Sequence, residues 1–127
     1  MGGGSPGPGS YDGLSDYLLQ EVPGLAGSPE LEAGDRNRPA DVAGALGRYL
    51  LRLQASEVRR ETAPSESAAL ARAYAVLDAL AASEDTRVRA ALVDEIFAPL
   101  HADDVVVAAV ETRLGPEARR LYRRWAV

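Results

Sequence analysis

Cysteine and lysine are absent from this chain, and histidine, tryptophan, phenylalanine and methionine occur once each. Each gap removes a class of chemistry. Without cysteine there is no disulfide framework, no thiolate metal site and no thiol nucleophile. All 14 basic residues are arginine, which excludes a lysine nucleophile, a Schiff base and a phosphate-loop lysine. No apolar run approaches the roughly 20 residues of a membrane-spanning helix. The N-terminus lacks the basic-then-apolar layout of a secretory signal, so the expected compartment is the cytoplasm, with no membrane partner. A net charge of -5 repels phosphate and argues against nucleic acid as the main partner.

What is present is alanine, leucine and arginine, the leading helix formers, with few aromatic or β-branched residues. A chain of 127 residues suits one domain. Residues 1–10, MGGGSPGPGS, hold nothing that can be buried and read as a flexible Gly/Ser/Pro tail. Residues 11–127 are expected to form an all-α, compact single-domain bundle of five to six short helices. Leu14, Tyr17, Leu18 and Val22 share one face of a first helix that Pro23-Gly24 should end. Ser28-Pro29-Glu30 suits a single helical turn. From Pro39, a second helix gathers Val42, Leu46, Tyr49, Leu50 and Leu53, with Gly44 and Gly47 off that stripe, leaving room for a nearby backbone. Leu70, Ala73, Tyr74, Leu77 and Leu80 mark a third. Asp85 can cap a fourth, whose broad apolar arc of Val88, Leu92, Val93, Ile96 and Phe97 marks it as the central helix of the fold. Asp103 can cap a fifth through Val106 and Val110, with Gly115 as its stop. Pro116 opens a sixth, with Leu121, Tyr122 and Trp125 on one side and four arginines on the other.

Few residues carry chemistry. His101, Asp103 and Asp104 form the one grouping that resembles a metal or acid–base site, but one histidine is too few, and the acids sit where a helix wants its cap. No Ser lies in a nucleophile-elbow frame and no glycine-rich phosphate loop occurs. Catalytic residues, cofactor and metal are all expected to be absent. Tyr17, Tyr49 and Tyr74 lie on apolar stripes and read as core residues with hydroxyls at the rim. Two charged surfaces remain as candidates for protein binding. One is the acidic set Glu84, Asp85, Asp94, Glu95, Asp103 and Asp104, suited to a basic partner. The other is the arginine face Arg119, Arg120, Arg123 and Arg124, suited to an anionic one. Net charge alternates along the chain, acidic in 1–35 and 65–111 and basic in 36–64 and 112–127.

A first helix ending in Glu21-Val22-Pro23, a helix pair over 66–100 split by a small acidic turn, and Leu114-Gly115-Pro116 leading into an Arg-rich helix together resemble a family of small bacterial all-helical proteins. Ile96-Phe97-Ala98-Pro99-Leu100 departs from that pattern, which has an aromatic residue followed by Glu there. The resemblance implies an immunity or antitoxin protein, with no functional residue carried over. The expected function is therefore a non-catalytic, acidic protein that binds and occludes a cognate toxin. The alternative is a helical adaptor or regulatory module acting as a homo-oligomer through Leu51, Val58 or the Trp125 end.

Overall fold

The computed structural model describes residues 10–61, 63–101 and 103–126, without side chains at 125 and 126. The proposed tail, apart from Ser10, and the side chain of Trp125 lie outside the described residues. A 3₁₀ turn, Tyr11–Gly13, leads into α1, Leu14–Glu21. Two single-turn helices follow, α2 (Pro23–Ala26) and α3 (Pro29–Glu32), then the long α4 (Pro39–Val58) and α5 (Pro64–Ala81). Helix α6 spans residues 86–100 as α-helical Thr86–Ala91, π-helical Leu92–Phe97 and a last turn Ala98–Leu100. Helices α7 (Asp104–Arg113) and α8 (Pro116–Ala126) complete the chain. The described residues are all-α, without a strand, as expected, and the valine run of α7 is helical.

Among the described residues eight helices stand in place of the expected five to six. The surplus comes from proline: five of the eight prolines in the sequence stand at the start of a helix (Pro23, Pro29, Pro39, Pro64 and Pro116). Proline's missing N–H is harmless in the first turn and its φ is already helical. Pro23 thus opens α2 rather than simply ending α1. A Cβ at Gly24 would stand 2.5 Å from the Tyr49 hydroxyl, so the bare glycine leaves room for that ring's tip.

The central helix is α4, not the 85–99 segment expected from its apolar arc. It packs against α1, α3, α5, α6 and α7, whereas the apolar arc of α6 faces chiefly α4. Val42, Leu46, Leu50 and Leu53 of α4 are buried with Leu14 and Leu18 of α1, Leu70 and Leu77 of α5, Ile96 and Phe97 of α6, and Val110 of α7. Burying a leucine contributes roughly 2 kcal/mol, so this stripe supplies a large part of the hydrophobic drive. Leu51, a candidate dimer contact, is half-buried against this core, while Val58 is exposed.

Gly47 makes the closest helix approach. A Cβ there would lie 2.7 Å from the Ile96 carbonyl oxygen and 2.9 Å from that of Glu95, both on the π-helical stretch of α6. Pro99 accounts for the stretch: it has no N–H to give the carbonyl four residues back, Glu95, and its ring crowds that oxygen in a regular α-turn. A widened turn relieves the crowding, and the displaced carbonyls rest on the bare Cα of Gly47. The expectation that a glycine of α4 makes room for another backbone is met at Gly47.

Candidate protein-binding surface

Asp85 organises the acidic end of α6. One carboxylate oxygen, Oδ1, accepts the Arg87 N–H at 2.9 Å and so caps the helix, while Oδ2 accepts the Tyr11 N–H at 2.7 Å. These two backbone donors, Tyr11 first, hold the Asp85 carboxyl below the usual range. The Arg87 guanidinium then lies 5.3 Å above the Tyr11 ring and pairs with Asp85 at 3.6 Å. The 3₁₀ turn is thereby clasped to α6. Beside the clasp runs an open groove of about 290 Å³ lined by Tyr11, Arg87, Ala90, Ala91, Asp94 and Glu95. Glu95 also lines a second groove, of about 280 Å³, with Glu30, Asp41, Gly44 and Arg48 among its other walls.

The structure therefore brings together Asp85, Asp94 and Glu95 of the expected acidic set and adds Glu30 and Asp41. Glu30 is held by Arg52 through two hydrogen bonds, at 2.7 and 3.0 Å, which lower its carboxyl pKa. Glu84 is exposed in the turn before Asp85. Asp103 and Asp104 belong instead to the start of α7. There Asp103 accepts the N–H groups of Val105 at 2.9 Å and Val106 at 3.4 Å, and Asp104 is exposed in the first turn.

The arginine face is less uniform than its sequence suggests. Arg119 is half-buried and donates to the carbonyls of Glu111 at 3.0 Å, Thr112 at 3.3 Å and Leu114 at 2.7 Å. It ties α8 to the C-terminal end of α7, where a cation meets the negative pole of the helix. Arg120 pairs with Glu117 at 3.3 Å, Arg123 with Glu111 at 3.5 Å, and Arg124 is exposed. Tyr122, on the opposite side, is 1% exposed, with its hydroxyl pushed up to about 12 by burial.

His101 does not join Asp94 and Glu95 in a groove. Its ring packs at 4.9 Å from that of Tyr122, which meets Phe97 edge-on at 4.9 Å, and burial lowers the imidazole pKa. Among the described residues no group of three His, Asp or Glu side chains is placed to hold a metal ion.

Two polar arrangements were not foreseen. In the first, Tyr74 of α5 donates to Gln54 of α4, Gln54 donates to Glu57 at 3.2 Å, and Arg113 of α7 donates to Glu57. The guanidinium of Arg113 then lies 4.9 Å above the Tyr74 ring, closing a loop of four side chains across three helices. The hydrogen bond from Arg113 lowers the Glu57 carboxyl pKa. A depressed folded-state pKa gives stability that is complete above the unfolded carboxylate range and is lost as pH falls through the folded value. Stability should accordingly fall on acidification below about pH 4.3, the ordinary glutamate value. Glu57→Gln should flatten that part of the profile in chemical unfolding measured across the acid range.

In the second, Asp78 of α5 caps α8 from 39 positions away, accepting the Glu117 N–H at 2.9 Å and the Ala118 N–H at 3.0 Å. Gly115 leaves space for it: a Cβ there would come within 2.5 Å of the carboxylate carbon. Gly115 is thus the seat of the Asp78 carboxylate, and its φ is not in the left-handed region that favours glycine as a helix stop. A signal for this contact existed in the sequence. Helix α8 opens at Pro116 after Leu114-Gly115, with no Ser, Thr, Asp or Asn to cap it, so its first N–H groups needed an acceptor side chain from elsewhere.

Compared with known protein families, with curated proteins and with solved structures, the chain finds no match.

Proposed function

We propose that this chain is a non-catalytic binding protein of the immunity or antitoxin kind, which docks a basic partner on the wall of α6 bearing Asp94 and Glu95. The observation that supports this reading is the pair of adjoining grooves that share Glu95. Their carboxylates come from three separate helices: exposed Asp94 and half-buried Glu95 line the first groove beside Tyr11, and Glu95 lines the second with Glu30 and Asp41. Such a surface attracts a basic partner over a distance and offers an aromatic contact on arrival. Several other charged groups have structural duties: Asp78, Asp85 and Asp103 cap helices and Arg119 ties α7 to α8.

The protein encoded beside this chain's gene is the probe. Co-expressed and purified together, the two should form a stoichiometric complex in which the neighbour's toxic activity is suppressed. A neighbour that neither binds nor harms its host would contradict the proposal.

A further inference from the structure

A glycine inside a helix is less stable than an alanine, so each one needs a reason. At Gly47 the reason is the nearby backbone of α6. At Gly44, one turn earlier on α4, packing does not supply one. A Cβ there would meet only Nη1 of Arg48 at 3.3 Å and Oε1 of Glu95 at 3.6 Å, the ends of two flexible side chains. What the bare Cα does is form part of the floor of the second groove, the one of about 280 Å³. Asp41 and Arg48 stand one helical turn to either side of it along α4, and Glu95 reaches over from α6. The rest of the lining is small, with Ala33, Gly34 and Ala40.

The carboxylates of this groove are unequally engaged. Glu30 is held by Arg52, and Oδ2 of Asp41 accepts the Asp35 N–H at 3.0 Å, which leaves Oδ1 of Asp41. Among the described residues no donor is bonded to Glu95. A guanidinium already lies over the floor, that of exposed Arg48, near Glu95 but not paired with it. Its hydrogen bond goes to the Glu30 carbonyl oxygen at 3.3 Å, which is long for an N–H donor.

We propose that the slot over Gly44 receives an arginine side chain of the basic partner, its guanidinium lying between Asp41 and Glu95 while Arg48 swings out to solvent. The inference rests on the docking reading above and adds what the partner must bring. Gly44 sets the depth of the slot, and Arg48 is its displaceable occupant. A flat guanidinium carries N–H donors on more than one edge, so it can serve two carboxylates that approach from different sides; a compact ammonium matches them less well.

The probe is N-acetyl-arginine amide, titrated at low salt into the isotope-labelled full chain and followed by amide chemical shifts. No partner protein enters, so failure of the slot and failure of the docking reading are separate results. Saturable shifts should centre on Asp41, Gly44 and Glu95. The citrulline amide, similar in shape but uncharged, should bind at least roughly tenfold more weakly, and the lysine amide should also bind more weakly. Gly44→Leu fills the slot and should weaken the arginine probe by at least roughly tenfold; Gly44→Ala, which the fold accommodates, should weaken it by about threefold. Arg48→Ala empties the slot and should tighten binding. Shifts spread evenly over the acidic residues would overturn the proposal. So would equal binding of the arginine probe and either analogue, or an affinity indifferent to both substitutions at Gly44.

Discussion

Gly47→Ala should cost about 3 kcal/mol, near the upper end of what a single inserted methyl causes. For a domain of this size that lowers Tm by roughly 10 °C. The new Cβ would meet the Ile96 and Glu95 carbonyl oxygens at 2.7 and 2.9 Å, and these belong to backbone that cannot rotate aside. Either α4 moves off α6 or the π-helical stretch re-forms, and Pro99 obstructs the second route. Gly44, three residues earlier on the same helix, supplies the control. A Cβ there meets only the tips of Arg48 at 3.3 Å and Glu95 at 3.6 Å, which can swing away. Gly44→Ala should therefore leave stability unchanged or raise it by up to about 1 kcal/mol through better helix propensity. Thermal or urea unfolding of the two variants reads the contrast directly. Equal costs at both positions would mean that the α4–α6 approach is not the close one described.

Removing the remote cap should be nearly as damaging. Asp78→Ala strips the acceptor from two N–H groups of α8 and should cost about 2 kcal/mol. Asp78→Asn, which keeps a carbonyl acceptor, should cost less. Gly115→Ala alone should cost a similar amount, since its Cβ would run into the carboxylate. In the Asp78→Ala background those three close contacts are gone, and the same substitution should cost much less. The double-mutant cycle should thus show a coupling of at least about 1 kcal/mol. Additive costs would separate the two residues and remove the account of the Leu114-Gly115-Pro116 elbow.

These two sites mark where the sequence was legible and where it was not. The helices themselves follow from local rules: 3.6-residue stripes for α1, α4, α5 and α6, side-chain caps at Asp85 and Asp103, and prolines at first turns. Each rule uses residues within a few positions of one another. Which helix is central does not follow from them. The apolar arc of α6 is broad on a regular helical wheel but faces chiefly α4, while α4 is central because its buried residues, among them Gly47, Ala43 and Ala45, are packed on by five other helices. Asp78 and the loop of Gln54, Glu57, Tyr74 and Arg113 depend on residues 20 to 56 positions apart, as their hydrogen bonds show. In α5 Asp78 looks like an ordinary exposed acid until α8 is placed against it. The arginine face was legible as a helix side, but the carbonyls that Arg119 reaches belong to the preceding helix. The acidic set was legible only in part, because nearness in sequence grouped Asp103 and Asp104 with Asp94 and Glu95, whereas folding sets Glu95 beside Glu30 and Asp41 and Asp94 beside Tyr11 and Arg87.

The central claim, that Asp94 and Glu95 form the docking wall for a basic partner, is tested most directly by association kinetics. The protein encoded beside this gene would be captured and the chain passed over it at several salt concentrations. The wild-type association rate should fall steeply with salt, and Asp94→Arg with Glu95→Arg should slow it by at least roughly tenfold and flatten that dependence. Association unchanged by the two reversals, or insensitive to salt, would contradict the claim.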